Sequence, residues 1–496
     1  MLRGTCDVET KGLDNEYIWC LVFKDFDSDK ILTFINDDVI EEYREELEEN
    51  CKGRILPLSS FHKLHKKVSE YHGHNFMYFD RVMIDKYLGV SIPWNNIKDT
   101  LVASKLLYPR KGFRHGLDAW GERLKFPKLH FKDFENFSTR MVVYCERDVE
   151  LNHELSKRIM HRVEGNLAKP FRLESEFVYN ISEQKRHGFY IDVPFLTKIK
   201  CEMDEKLDEL SEEIRAQYPK KPVYVDKKKP VTELKFKKNG EKSIQNLRKF
   251  MNETGYNINN IEGDFCFIEW EEFNLASPTQ VTERLYEAGW RPVDFNKPSQ
   301  TDIAAGRKQG SPKVNNMNLS TLPDDAPQSA KKLAYWRKLF TRRGMCEQWL
   351  DATWDDNRLR GDVNHIGSWS QRCSHSKPNT ANISSASYGP DGVLMGLDGM
   401  YGWDSRRAWT ISTHLTPPTD KPMAYEGGFE TSEEVENFLS TYKKYGRVLI
   451  GCDAEGIQLR GLAHYMGDKD YMDAVANGDK KLKTDVHNIN LKLTKG

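Results

Sequence analysis

The chain has 496 residues, 38% hydrophobic and 30% charged, with a formal net charge of −1; that length predicts roughly three or four domains, and the near-neutral balance leaves only local basic patches for any contact with nucleic acid. No run approaches the ~20 apolar residues of a membrane helix, and the N-terminus shows no signal peptide. The nine scattered cysteines contain no C-x-x-C pair and read as reduced thiols, so a disulfide framework and a zinc site are both excluded and a cytoplasmic setting is expected.

In chain order, residues 1–35 read as three short strands, LRGTCDVET, EYIWCLVFK and KILTFI, separated by polar turns. Alternating helical and strand-like segments to about residue 165 then predict a mixed α/β domain. From Leu173 the period changes. Leu196, Ile199, Met203, Leu207, Leu210 and Ile214 recur at three and four residues, an amphipathic helix of about five turns. Residues 218–243 hold nine lysines against three acids without strong periodicity and read as a basic surface loop or small insertion. Another helix is predicted over 329–350, with Leu333, Trp336, Phe340 and Trp349 on one side. Residues 415–430 form a Pro- and Gly-bearing linker, followed by the strand RVLIGCDAEG.

Three acidic sites stand out. In CDVET, Asp7 and Glu9 are two apart on a strand, so both carboxylates project from the same side while Cys6 and Val8 face the other. With 75 acids in the chain, such a pair arises by chance roughly eleven times, so alone it says little. Next, the apolar stretch Asn75-Phe76-Met77-Tyr78-Phe79 reads as a strand leading to Asp80 at the start of a helix, where a plain N-cap aspartate is the bland reading. Finally, Tyr144 and Asp148 in YCERD are four apart in a helical segment, which puts phenol and carboxylate on one face.

Taken in order, Asp-x-Glu, Asp and Asp with a tyrosine one turn before the last resemble the DEDD-type proofreading exonucleases of DNA polymerases. The resemblance spans residues 1–165 and is reinforced by Asp99-Thr100 and by HGLDAWGERL at 115–124. It implies a ribonuclease H-like 3′-5′ exonuclease domain in which Asp7, Glu9, Asp80 and Asp148 hold two Mg²⁺ ions, with Mn²⁺ an alternative. Asp7 would bridge both ions, Glu9 and Asp148 complete one site, Asp80 support the other, and Tyr144 orient the attacking water. Hard divalent cations favour such oxygen ligands, and a pair of them supplies nucleophile and leaving-group stabilisation for phosphodiester hydrolysis.

Beyond residue 170 the chain is similar to family A DNA polymerases of the phage branch. EQKRHGFYIDV at 183–193 resembles the entry to the thumb. GSWSQRCSHSKPNTANIS at 367–384 resembles a stretch in which Arg372 and Asn379 would contact the primer-terminal duplex; Ser370, Gln371 and Ser384 depart from the usual pattern. Tyr401-Gly402 and Arg406 resemble the stretch after it. VLIGCDAEGIQLRGLAHYM at 448–466 looks like the first palm motif, which would make Asp453 a ligand of the catalytic metals and put Gln458 where a glutamate commonly excludes a ribose 2′-OH. The resemblance places His487, in Thr484-Asp485-Val486-His487, beside the incoming triphosphate.

The domains expected are therefore 1–165, exonuclease; 166–365, a mostly helical thumb region carrying the insertion at 218–243; and 366–496, a partial palm. Fingers and the second palm carboxylate do not follow in these residues. The expectation is a 3′-5′ exonuclease joined to the N-terminal portion of a replicative polymerase, half of a split enzyme that needs a second fragment for synthesis from dNTPs. Its partners would be primer-template DNA, single-stranded 3′ ends and, at the lysine-rich insertion, a thioredoxin-like processivity factor or DNA phosphates. The rival readings are a stand-alone 3′-end nuclease with a nucleic-acid-binding module and a non-catalytic DNA-clamping subunit.

Overall fold

The first strand organises the N-terminal half. In β1 (Leu2–Thr10) Cys6 and Val8 are buried, while Asp7 and Glu9 alternate with them on the other face. It pairs antiparallel with β2 (Ile18–Asp25), which pairs antiparallel with β3 (Ile31–Ile35). β4 (Arg54–Pro57) extends that edge in parallel with β3. On the other side, β5 (Val68–Gly73) runs parallel to β1, and β6 (Ile97–Asp99) parallel to β5. The sheet order is β4-β3-β2-β1-β5-β6, a mixed sheet with crossovers, as the alternating pattern predicts. The computed structural model describes residues 1–12, 17–218, 220–224, 237–241, 261–262, 266–368, 370–390, 392–410, 433, 457–478 and 482–495.

Helices cover the sheet. The N-terminal helices needed below are α1 (Asp80–Leu88), α2 (Thr100–Leu107), α3 (Leu117–Leu124), α4 (Thr139–Val163) and α5 (Ala168–His187). α4 starts at Ser138, whose hydroxyl accepts from the Met141 amide. It buries Met141, Val142, Cys145, Val149, Leu155 and Ile159, an i, i+3, i+4 stripe that keeps the helix on the sheet. Gly121 lets α3 approach, since a Cβ there would lie 2.9 Å from the Phe126 carbonyl and 3.2 Å from Leu151. The core does not stop at residue 165: Phe171 and Val178 of α5 are buried in the same cluster as Val8 and Ile84.

One expectation fails here. Asn75–Phe79 is a turn, and the strand ends at Gly73. The reason is Asp99, 1% exposed. Its carboxylate accepts from the amides of Asn75 (3.1 Å), Met77 (3.1 Å) and Leu101 (2.9 Å), so amides that a strand would give to a neighbour go to one side chain. Asn75 adopts a positive φ of 66°, which asparagine tolerates better than most residues. Phe76 and Met77 are fully buried, which explains the apolar run without a strand.

A second core follows. α6 (Val193–Gln217) buries Leu196, Ile199, Met203, Leu207, Leu210 and Ile214, the predicted stripe, each worth roughly 1.5–3 kcal/mol of transfer free energy. It packs on the helix Gln328–Asp351, where Trp336 Nε1 donates to Ser211 Oγ at 2.8 Å. Leu333, Trp336 and Trp349 are buried there as expected, whereas Phe340 is 36% exposed and stacks on Trp336 with centroids 4.8 Å apart. The basic window 218–243 is not wholly loop: Lys221–Tyr224 is a strand paired with Cys266–Glu271, and most of the remainder lies outside the described residues.

The chain divides into two compact units, Met1–Pro422 and Met423–Gly496. In the second, helices Ile457–Met466, Lys469–Asn477 and Val486–Lys495 meet around Ala463, Tyr471 and Val486. The expected linker 415–430 and strand 447–456 lie outside the described residues. No helix among the described residues is long and apolar enough to cross a membrane.

Asp99→Ala should destabilise the protein by roughly 3 kcal/mol, because buried amides lose their acceptor, and Asp99→Asn, which keeps one carbonyl oxygen, by less. Urea unfolding followed by tryptophan fluorescence measures both; an Asp99→Ala midpoint equal to the parent's would contradict this account of the turn.

Candidate active site

β1, the start of α1 and the middle of α4 bring Asp7, Glu9, Asp80, Tyr144 and Asp148 to one place. The Val8 amide, between the two strand acids, donates to Asp80 Oδ1 at 3.0 Å, which sets the Asp80 carboxyl beside that of Asp7. Single ligand atoms of Asp7, Glu9 and Cys145 lie within 4.8 Å of each other, and Cys145 Sγ is 3.8 Å from Asp7 Oδ2. Asp148 lies one helical turn beyond Tyr144 and on its face. Its Oδ1 is buried without a hydrogen-bond partner.

The electrostatics follow from burying like charges together. Burial raises Asp7 to about 7, helped by the charge of Asp148 and opposed by Lys128. Burial, then Asp7, also pushes Glu9 and Asp80 well above the ordinary carboxylate range. Asp148 is raised by burial too, against the pull of Lys128. Buried carboxyls that repel one another resist ionising until a cation joins them. Carboxylate oxygens are the ligands that hard divalent ions take, and the unpartnered Asp148 Oδ1 is a further one. The residues fit a divalent-metal centre.

Two participants escaped the sequence reading. Lys128, in the segment between α3 and α4, places Nζ 2.6 Å from Asp148 Oδ2 and 4.7 Å from the centroid of the Tyr144 ring. Cys145 adds a thiol against Asp7. Neither has a local signal: Lys128 sits in a stretch without periodicity, and Cys145 belongs to the buried stripe of α4. Tyr144 is 8% exposed and packs against Phe131 and Phe134.

The other expected residues lie elsewhere. Arg372 is exposed, with its amide held by Ser368 Oγ at 3.1 Å. Asn379 is exposed, and its Oδ1 accepts from the amides of Ala381 (3.0 Å) and Asn382 (3.1 Å), so that oxygen holds a turn. Arg406 donates to the Ser384 carbonyl. In the second unit, Gln458 is exposed on its helix, and His487 lies in the last helix with its side chain outside the described residues. Asp453 lies outside them altogether.

A mixed α/β fold with a partly buried carboxylate centre defines a class compatible with metal-dependent phosphoryl chemistry. Comparison with known families narrows this. The model for DNA polymerase family A matches residues 244–494, and the chain belongs to that family. It is 24% identical over 476 residues to a DNA-directed DNA polymerase of Escherichia phage T7, covering 80% of this chain and 61% of that protein. It is also 24% identical over 469 residues to the DNA-directed DNA polymerase of Enterobacteria phage T3, covering 78% and 60%. The chain thus spans about three-fifths of the length of these relatives. The POL domain of Pol1 from M. smegmatis, solved in complex with DNA primer-template and dNTP, aligns over 82% of this chain and 54% of its own, at 14% identity and a TM-score of 0.49.

The raised carboxyls set a pH dependence. Below the ordinary value of 3.8 for Asp7 both folded and unfolded states hold the proton and the shift contributes nothing. Between 3.8 and about 7 the unfolded chain ionises first, so stability falls as pH rises, and above about 7 the deficit is constant. In the presence of a chelator, Asp7→Asn should raise the thermal midpoint by a few degrees at pH 8, with the gain shrinking toward pH 4. Calorimetry across that range checks the sign; a lower midpoint than the parent at pH 8 would refute it.

Proposed function

We propose that residues 1–165 are a 3′-5′ exonuclease, of ribonuclease H-like type, acting on single-stranded DNA 3′ ends. The rest of the chain would be the thumb region (166–365) and first part of the palm (366–496) of a family A replicative DNA polymerase. The observation that carries the nuclease reading is the meeting of Asp7, Glu9, Asp80 and Asp148 from three separate elements, with Tyr144 one turn from the last on the same helix face.

Asp7, Glu9, Asp80 and Asp148 would hold a pair of divalent ions, Mg²⁺ or Mn²⁺. Bound there, the ions would supply a hydroxide-like nucleophile and charge stabilisation for the departing 3′ oxygen. The protein's part is positional. The Val8 amide fixes Asp80 beside Asp7, the strand alternation keeps Glu9 on the same side, and α4 delivers Asp148 and Tyr144 in register. The Tyr144 phenol, one turn from Asp148 on the same helix face and raised by burial well above its ordinary range, stays protonated and is suited to orient an attacking water. Low-dielectric walls such as Phe131 and Phe134 strengthen each of these interactions.

On the polymerase side, membership of family A supports Asp453 as a metal ligand, Arg372 and Asn379 as contacts to the primer-terminal duplex, and Gln458 and His487 near an incoming dNTP. The lysine-rich window 218–243 would meet DNA phosphates or a thioredoxin-like processivity factor. About two-fifths of each relative lies outside the stretch matched, and the second palm carboxylate and the fingers would come from outside these 496 residues, on the same polypeptide or on another.

Asp7→Ala should reduce excision of a single-stranded 3′-labelled oligonucleotide to the background of the assay while the purified protein keeps its fold by circular dichroism; undiminished excision would reject the site. A polypeptide confined to residues 1–496 should give no dNTP-dependent extension of a primed template, and synthesis by it would overturn the division of the polymerase site drawn here.

A further inference from the structure

Among the acids of the candidate nuclease site lies one ammonium group whose position is built in. The segment carrying Lys128 is anchored at the two residues before it. The Phe126 amide donates to the Gly121 carbonyl at 2.9 Å. The Arg147 guanidinium lies 3.4 Å from the centroid of the Phe126 ring and its Nε donates to the Pro127 carbonyl at 3.0 Å. From that base Lys128 Nζ reaches Asp148 Oδ2 at 2.6 Å and lies 4.7 Å from the centroid of the Tyr144 ring. Its charge is also felt at Asp7 and Glu9.

The two partners of this ion pair differ in freedom. The Asp148 side chain is 5% exposed and the Lys128 side chain 28%. A four-carbon stem can carry its ammonium out into water, whereas the carboxylate on α4 stays where it is. Asp148 therefore has one oxygen taken by a removable cation and the other, Oδ1, without a partner.

We infer that Lys128 is a positioning residue of the nuclease site: a tethered cation that holds Asp148 and Tyr144 in register and must yield Asp148 Oδ2 when a divalent ion binds. This rests on the exonuclease reading above. Ammonium and metal ion then compete for the same oxygen, so their binding is negatively coupled. Lys128 would set how much divalent ion the site needs while keeping the acids from repelling one another apart. A purely structural ion pair would behave differently, since its removal would weaken or leave unchanged the affinity for metal.

The test is Mn²⁺ calorimetry on the full chain in an Asp453→Ala background, which removes the proposed palm ligand. Lys128→Met, of similar length and uncharged, should bind Mn²⁺ about tenfold more tightly than the parent. Its thermal midpoint in chelator should fall, and saturating Mn²⁺ should restore it. Lys128→Arg should shift the affinity the other way, because a guanidinium grips a carboxylate through two parallel hydrogen bonds. In excision assays at saturating Mn²⁺, Lys128→Met should lower kcat with little change in KM for DNA, as Tyr144 loses its neighbour. Equal or weaker Mn²⁺ affinity in Lys128→Met overturns the proposal. If that variant does not fold, an unchanged affinity in Lys128→Arg overturns it. Should Asp7→Ala bind Mn²⁺ and excise like the parent, the exonuclease reading itself fails, whatever Lys128 does.

Discussion

Four carboxyl groups gathered at one partly buried place are the constraint around which the N-terminal half is organised. Such a cluster is unfavourable by itself, because each group loses hydration and each anion repels the next. The surrounding structure holds it together by visible means: a main-chain amide on Asp80 and an ammonium on Asp148. Around these stand a six-stranded sheet and an apolar stripe on α4 that fix the backbone independently of the charges. A site strained in its empty form and relaxed by cations is a common way for a protein to trade stability for affinity.

Much of this was legible in the sequence because it depends on short-range periodicity. The alternation in CDVET places Asp7 and Glu9 together, and the four-residue spacing of Tyr144 and Asp148 needs only a helix. The stripe from Leu196 to Ile214 foretold α6 residue by residue. What could not be read depended on contacts distant in sequence. Asp99 turns an apolar run that resembles a strand into a turn, by accepting amides 22 and 24 residues earlier. Lys128 lies 20 residues before Asp148 in a stretch with no period, and only the folded chain joins them. Phe340 shares the spacing of its buried neighbours, yet it sits at the edge of the helix's contact face, stacked on Trp336 in place of entering the core.

The polymerase half presents the opposite balance. Family membership is carried by residues 244–494, while geometry for the expected palm aspartate lies outside the described residues. Arg372 and Asn379 sit on exposed turns whose main-chain hydrogen bonds are already satisfied locally. Such positions suit residues that meet a ligand approaching from solvent, because little of the protein must rearrange to receive it. The contrast with the N-terminal site is one of chemistry. Residues proposed as metal ligands need a preformed cluster, whereas those proposed to meet a duplex need reach and exposure.

The joint between the two cores bears on how the protein can be divided. Asp362 accepts from the Tyr78 hydroxyl at 3.0 Å and pairs with Lys185 at 2.5 Å, while Arg81, next to Asp80, is bonded to Ser182 and Glu183 of α5. The turn that presents Asp80 is thus gripped by residues belonging to later parts of the chain. Severing the polypeptide near residue 165 would strip away Phe171, Val178 and these polar clasps together, leaving an apolar flank bare and Asp80 on a loosened hinge. The N-terminal half and the part that follows it are neighbours in the chain without being detachable modules.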